Sequence, residues 1–265
     1  MILSVVIITH NEEANIGRTL ASVQSLIADG RGEIIVVDSG STDRTVEFAR
    51  SHAAKVFVEA WKGYAAQKNS AIDKAAGDWI LSLDADEEVE AELGAEIKGL
   101  LTGVSAAAGY WIPRKNEFLG RWVRHGGFWP DPKMRLFRKG AAIFENRAVH
   151  EDAHLTQGVP GKLKGALLHH SYPTLADYID HMNRYSSLGA EIVAAKGRLR
   201  FSFFNIVVRP VATFMYNYFF RLGFLDGREG LLLHLYHAVY VSWKYAKGWE
   251  LARARQTADS SPRSE

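Results

Sequence analysis

The sequence predicts an α/β fold: a mostly parallel central sheet with helices on both faces, followed by C-terminal amphipathic helices. Three observations carry this. Residues 1–85 alternate short apolar runs with helix-patterned segments, as βαβ units do. The apolar runs end in polar, acidic turns. Beyond residue 175 the pattern becomes helical and increasingly aromatic.

Taken in order, Leu3–Thr9 is an apolar strand, and Asn15–Leu26 a helix with Ile16, Leu20 and Val23 on one face. Glu33–Asp38 is a second strand. Ser41–His52 is a helix opened by Ser, Thr and Asp capping residues. Lys55–Val58 is a short strand, Tyr64–Ala76 a helix, and Trp79–Leu83 a strand running into Asp84-Ala85-Asp86. Residues 105–172 are rich in Gly, Trp, Arg and Phe, with short strands at Gly109–Pro113, Met134–Arg138 and Leu163–His170. Gln256–Glu265 is expected to be disordered. No internal repeat is visible.

The chain has 265 residues, enough for one large domain or a domain with a helical appendage. A formal net charge of +2 and the lack of a long Lys/Arg run argue against nucleic acid. There is no cysteine, which excludes disulfides and Cys-based zinc sites and suits a reducing cytoplasm. The N-terminal apolar run lacks a basic leader and meets His10-Asn11-Glu12-Glu13 too soon for a signal peptide or a span. A cytoplasmic location is expected.

In open parallel sheets, ligands bind beyond the carboxyl ends of the strands. Here those ends carry His10-Asn11-Glu12-Glu13, Asp38-Ser39-Gly40-Ser41-Thr42-Asp43 and Asp84-Ala85-Asp86. Any one could simply terminate a strand or cap a helix; three together suggest a site. Two carboxylates at i and i+2 can share a hard cation, Mg²⁺ or Mn²⁺, that bridges a diphosphate. Asp38 could accept from a base or ribose.

The segments IITHNEEANI, VVDSGSTDRT, AAQKNSAIDKAAGDWILSLDADEE and RAVHED resemble inverting family 2 glycosyltransferases. HGGFWPDPKMRLFRKG, NRAVHE and FLDGREG are similar to the bacterial lipopolysaccharide-core β-1,4-glucosyltransferase group. The resemblance implies a GT-A-type nucleotide-sugar-binding domain, a donor such as UDP-glucose, a divalent cation (Mg or Mn), and a lipopolysaccharide-core acceptor, a heptose. It implies that Thr9, Asn11, Glu12, Asp38, Gln67, Lys68, Asn69 and Asp84 bind the nucleotide sugar, with Lys68 near phosphate. Asp84 and Asp86 would hold the metal. Glu151 or Asp152 would be the base that takes the proton of the attacking hydroxyl; the VHE form favours Glu151. The implied division is a nucleotide-sugar half over 1–104, an acceptor-side half over 105–174, a helical region over 175–250, and a tail over 251–265.

Other motifs have competing readings. His150-Glu151-Asp152-Ala153-His154 fits the H-E-x-x-H zinc pattern, but Asn146 before it and Gly158, Pro160 and Gly161 after it argue against a helix, so the match is read as accidental. One of His169 and His170, after an apolar strand, could complete the metal shell or touch diphosphate, His170 being the choice, or both could simply end the strand. Arg124, Gly127 and Trp129, in an aromatic, arginine-bearing loop, could bind the acceptor or form a satellite apolar cluster.

Phe203–Leu222 places Asn205, Arg209, Thr213, Asn217 and Arg221 as a polar stripe on an otherwise apolar helix, with Pro210 as a kink point. Leu231–Trp249 interleaves Tyr236, Tyr240, Trp243, Tyr245 and Trp249 with Lys244 and Lys247. Two arginines are wrong for a span and right for a helix in the membrane interface; packing on the protein, or an oligomer contact, is the alternative. Two other functions stay open: transfer to a polyprenyl phosphate, which needs no general base, and a non-catalytic nucleotide-sugar-binding membrane scaffold, which would bind donor without releasing UDP.

Overall fold

The computed structural model describes residues 1–103, 106–145, 152–195 and 201–260. Its elements are β1 (Leu3–Thr9), α1 (Ile16–Ile27), β2 (Gly32–Asp38), α2 (Thr45–Ser51), β3 (Lys55–Val58), α3 (Tyr64–Asp73), β4 (Trp79–Asp84), β5 (Glu87–Val89), α4 (Ala91–Thr102), β6 (Gly109–Ile112), β7 (Arg114–Phe118), β8 (Arg121–Trp122), β9 (Lys133–Arg138), β10 (Ala142–Phe144), β11 (Ala153–Leu155), β12 (Pro160–Lys162), β13 (Leu167–Tyr172), α5 (Leu175–Ala195), α6 (Arg209–Met215) and α7 (Gly227–Ser260). They fall into two compact units: Met1–Asn116 with Pro130–Ser171, and Glu117–Trp129 with Tyr172–Glu265.

The first unit is built on a seven-stranded sheet of order β12-β6-β9-β4-β1-β2-β3. β4, β1, β2 and β3 run parallel, and β9 is inserted antiparallel between β6 and β4. The sheet is mostly parallel, as the alternation of strands and helices predicts. Side-chain alternation along the strands builds two cores. Leu3, Val5 and Ile7 of β1 and Ile34 and Val36 of β2 pack with Ile16, Leu20 and Val23 of α1 on one face. Val6, Ile35, Val37 and Ile80 pack with Ala65, Ala71 and Ile72 of α3 on the other. Each fully buried branched side chain contributes roughly 1.5–3 kcal/mol, so α1 and α3 are fixed to opposite faces and the loops between strand and helix are held at one edge. The small strands β10 and β11 pair antiparallel, as do β13 and β5.

α2 begins at Thr45, later than its Ser41 start in the sequence reading. Asp43 accepts from the Thr45 amide at 3.0 Å, and Asp38 accepts from the Ser41 amide at 2.8 Å. These local bonds give the backbone an alternative to the helix.

The second unit packs α7 against α5. Lys247 of α7 donates to the Asn183 carbonyl at 2.9 Å and its side-chain oxygen at 2.6 Å, and to Ser186 at 2.8 Å. Lys247 and the half-buried Tyr236, Tyr240, Trp243 and Tyr245 are thus used inside the unit. The last helix continues to Ser260, past the residue 250 boundary of the sequence reading. The apolar exposure lies instead on residues 201–225. Around α6 the helix opens into π-type turns at Phe204–Val208 and Tyr216–Phe220. Pro210 has no amide hydrogen to give the Ile206 carbonyl four residues back; the Ser242 hydroxyl of α7 donates to that carbonyl at 2.8 Å. Asn205, Thr213 and Asn217 of the polar stripe are half-buried, while Phe203, Phe204, Val211, Tyr216, Phe220 and Leu225 are each at least 50% exposed. Among the described residues no helix is long and apolar enough to cross a membrane.

Candidate active site

Register brings the three acidic strand ends together. Thr9 of β1 lies opposite Asp38 of β2, and Ile8 lies opposite Asp84 of β4, in parallel pairs. The β1 and β2 ends are tied directly. Asn11, at a positive φ of 55°, accepts from the Thr42 amide at 2.8 Å and donates its own amide to the Ser41 hydroxyl at 2.8 Å. Asn is among the few side chains that tolerate this left-handed backbone. Asp38, buried, accepts from the Thr9 hydroxyl at 2.8 Å, the Gly40 amide at 2.9 Å, the Ser41 amide and the Ser41 hydroxyl. Those bonds fill the about four lone-pair positions of a carboxylate. Asp38 and Thr9 therefore shape the loop at this edge of the sheet.

Asp84 and Asp86 sit in the turn after β4, pinned to α1 by the Thr19 hydroxyl, which donates to the Ala85 carbonyl at 2.7 Å. Lys68 of α3 contacts one Asp84 oxygen at 2.7 Å, and the buried Arg135 of β9 contacts the other. Arg135 also pairs with the fully buried Glu87 at 2.7 Å. Arg114 joins Glu87 at 3.1 Å to Asp131 at 2.7 Å. Lys133 then spans Asp131 at 3.7 Å and Asp152 at 3.3 Å. A continuous chain of alternating charge thus runs from Lys68 to Asp152 within the first unit. Burial alone would raise the Asp84 carboxyl, but the Arg135 and Lys68 cations outweigh it and hold Asp84 well below the usual carboxylate range. Asp86 is likewise lowered, burial being overcome chiefly by His169. Glu12, after β1, is pushed up: burial leads, a bond from Asn15 opposes it, and Asp86, Asp43 and Asp84 add repulsion. The mouth of the sheet is therefore an anionic spot with two flanking cations, suited to a metal-bearing diphosphate.

The α3 residues divide. Lys68 faces Asp84. Gln67 is fully buried, and neither end of its amide has a partner within the described residues. Asn69 turns away: its side-chain nitrogen donates to the Phe144 carbonyl at 2.8 Å, and its oxygen accepts from the Phe144 amide at 3.0 Å. It holds β10 like an extra strand residue. The two adjacent histidines of β13 have different partners. The His170 ring contacts Glu88 at 2.6 Å, while His169 is the neighbour of Asp86 at 3.2 Å. Adjacent strand residues face opposite sides, so one position decides which imidazole reaches the turn. His169 is further held by the Asn116 side-chain oxygen at 2.7 Å. Among the described residues, no group of three or more His, Asp or Glu side chains converges to hold a metal alone. His150 and Glu151 lie outside the described residues. His154 stands in β11, paired with Ile143, so that end of the H-E-x-x-H match is strand, as its accidental reading expects.

The loop expected to meet an acceptor belongs to the second unit. Arg124 lies over the Trp122 ring at 4.1 Å, and Trp122 packs edge-on to Trp129 at 5.1 Å. Gly127 is a seat for Arg221. Sequence reasoning missed Arg114, Asp131 and Arg135. Arg135 left a signal: an arginine between Met134 and Leu136 in an apolar strand demands a buried carboxylate partner.

A GT-A-type sheet with paired aspartates at its carboxyl edge defines the sugar-transferring class. Residues 4–156 match the model of glycosyl transferase family 2, and the chain belongs to that family: it is a glycosyltransferase. It is 33% identical to a glycosyltransferase of Rickettsia typhi over 94% of this chain and 87% of that one. It is 28% identical to the lipopolysaccharide core biosynthesis glycosyltransferase LpsC of Rhizobium meliloti, over 98% and 97% of the two chains. A dolichyl-phosphate hexose transferase of Haloferax volcanii is 31% identical over 54% of this chain and 62% of its own length. Two solved structures share the fold. S. aureus TarS 1-349, in complex with UDP-GlcNAc, has a TM-score of 0.52 at 15% identity, covering 99% of this chain and 93% of that one. The mannosyltransferase PcManGT of Pyrobaculum calidifontis, in complex with GDP-Man and Mn²⁺, has a TM-score of 0.53 at 16% identity, covering 98% and 76%.

Proposed function

We propose that this glycosyltransferase moves a hexose, glucose from UDP-glucose, onto an inner-core heptose of lipopolysaccharide with inversion. The observation that carries the reading is the Asp84–Asp86 turn at the carboxyl edge of the sheet, flanked by Lys68 and Arg135. The similarity to LpsC, nearly end to end, supports the acceptor class. In the transfer, the acceptor oxygen forms its bond to the anomeric carbon as the bond to the diphosphate oxygen breaks. The diphosphate leaves with the electron pair, and the hydroxyl proton goes to a carboxylate. The VHE form favours Glu151 as that base, with Asp152, which contacts Lys133 at 3.3 Å, as the alternative.

Asp86, with His169 beside it, fits a hard cation that completes its shell with diphosphate oxygens, since Mg²⁺ and Mn²⁺ need only one or two protein carboxylates. The Mn²⁺ of the mannosyltransferase complex supports the use of a divalent cation. Such an ion would neutralise charge on the leaving diphosphate. Lys68 adds a second positive charge, Gln67 offers a buried amide to the donor, and Glu12 and Asn11 border the pocket. Arg124, Gly127 and Trp129 serve the acceptor. The exposed apolar face over residues 201–225, whose only charges are Arg209 and Arg221, suits peripheral attachment to an anionic bilayer on its cytoplasmic face.

A donor screen reading UDP or GDP release with Mg²⁺ or Mn²⁺, on lipopolysaccharide truncated at the inner core, tests this. Release of UDP from UDP-glucose is expected, and no release with any donor sinks it. Transfer to a polyprenyl phosphate is the second reading, favoured by the dolichyl-phosphate relative. That acceptor is already ionised, so unharmed turnover in both Glu151→Gln and Asp152→Asn would select it.

A further inference from the structure

Arg124 and Arg221 of the second unit, like Arg184, Arg209 and Arg228 of the same unit, form no ion pair with a carboxylate among the described residues. Arg124 and Arg221 are nevertheless held. Arg124 is stacked on Trp122 at 4.1 Å. Arg221 lies over the Tyr216 ring at 5.5 Å and against the backbone of Gly127, where an added Cβ would stand 2.1 Å from its guanidinium nitrogen. The Arg221 carbonyl in turn accepts from the Gly126 amide at 2.9 Å.

The loop that carries this pair is built to one shape. Asp226, nearly fully buried, accepts from the Arg124 amide at 3.2 Å, from the His125 amide at 2.8 Å and contacts the His125 ring at 3.0 Å. Gly126 and Gly127 both take positive φ, 69° and 92°. A Cβ at Gly126 would strike the His234 ring at 1.9 Å. Neither glycine can be replaced without losing both the backbone conformation and the seat of a side chain from the 221–234 segment. A buried carboxylate and two positive-φ glycines thus fix the shape of a loop that brings the backbone next to Arg124 against Arg221. Arginine's planar fork matches phosphate oxygens two at a time.

The surroundings indicate where the phosphate comes from. Tyr216, Phe220, Leu222, Phe224 and Leu225, on either side of Arg221 in the chain, are exposed, and no acidic residue occurs from Phe201 to Leu225. A soluble phosphate needs no apolar apron; a phosphate at the headgroup level of a bilayer does. From this geometry we infer that Arg124 and Arg221 form a prearranged site for a phosphate monoester carried by a lipid-anchored molecule, bound as the apolar face enters the membrane. The inference deepens the proposed function by naming a group its acceptor carries, and it rests on that reading only for the acceptor being lipid-borne.

The test uses the full chain and vesicles without donor, so its outcome is separate from that of the donor screen. Vesicles of phosphatidylcholine are doped with phosphatidic acid, a phosphomonoester, or with phosphatidylglycerol, a phosphodiester, at matched surface charge. Wild-type protein is expected to sediment with the phosphatidic acid vesicles about tenfold more tightly, since a guanidinium fork pairs with two oxygens of a monoester at once. Arg124→Gln and Arg221→Gln should each cut that preference about fivefold, with binding to phosphatidylglycerol vesicles within about twofold of wild type. Arg221→Lys should restore only part of it, because charge returns without the fork. UDP binding by each variant checks that the chain is folded. No preference in the wild type, or an equal loss on both vesicle types, overturns the site. Inorganic phosphate displacing the protein from phosphatidic acid vesicles at low millimolar concentration overturns its lipid-borne source.

Discussion

Replacing Arg135 with methionine removes the central cation of the charge chain and leaves shape behind. In the native protein its guanidinium contacts Asp84 and Glu87, the latter fully buried, and is itself 5% exposed. Removing one partner of a buried ion pair typically costs about 3–5 kcal/mol, because the remaining charge is stranded. Here Asp84 keeps Lys68 and Glu87 keeps Arg114, which places Arg135→Met near the lower end, at about 3 kcal/mol. For a chain of this size that is a fall of roughly 6–12 °C in Tm. Urea and thermal unfolding followed by tryptophan fluorescence measure it. The double variant Arg135→Met/Glu87→Gln should be less destabilised than the sum of its single changes by about 1–2 kcal/mol, because it removes the stranded charge. A loss below about 1 kcal/mol, or strict additivity, would refute the idea that Arg135 is the counter-ion on which the Asp84 turn depends.

Other perturbations separate the roles of neighbouring residues. Gln67→Met should raise the urea midpoint, by about 1 kcal/mol, since it removes an unpaired buried amide, while weakening UDP binding; a variant that keeps full UDP affinity would remove Gln67 from the donor site. Asp86→Asn should abolish the metal dependence of UDP binding with little change in Tm, measured by calorimetry with and without Mn²⁺. Asn69→Ala should cost about 2 kcal/mol by unpairing the Phe144 backbone. His234 is buried and held down to about 4, burial leading and His237 adding. Because the unfolded chain binds that proton near pH 6.5, stability should fall as pH drops from 6.5 toward 4, by roughly 2 kcal/mol at pH 5. His234→Leu should flatten that part of the stability profile; an unchanged slope would show that another group governs it.

The frame of the site was legible in the sequence because strand alternation and acidic strand ends are local signals. Val5 and Val6 reveal a strand buried on both faces, and the parallel order then places Asp38 and Asp84 at one edge. Individual side chains were less legible, because their roles depend on register and on partners distant in sequence. His169 and His170 are indistinguishable until the β13–β5 pairing fixes which one faces Asp86. Asn69 reads like a polar ligand residue beside Lys68, and its clasp on the Phe144 backbone, 75 residues later, could not be read from the sequence. The apolar face at 201–225 was legible as amphipathic, but which stripe turned inward depended on Pro210 and on the hydroxyl of Ser242.

One turn of α3 serves two tasks at once. Lys68 grips Asp84 and also lies 5.1 Å above the Phe144 ring, while Asn69 clasps the Phe144 backbone from both sides. Phe144 is the root of the segment leading to Glu151. On the proposed mechanism, a donor that pulls Lys68 toward its phosphates also tugs on that root. From that linkage we expect compulsory-order kinetics, with sugar nucleotide entering first and the acceptor binding poorly to the empty enzyme; a random-order pattern in product inhibition would show that the two ends of this turn move independently.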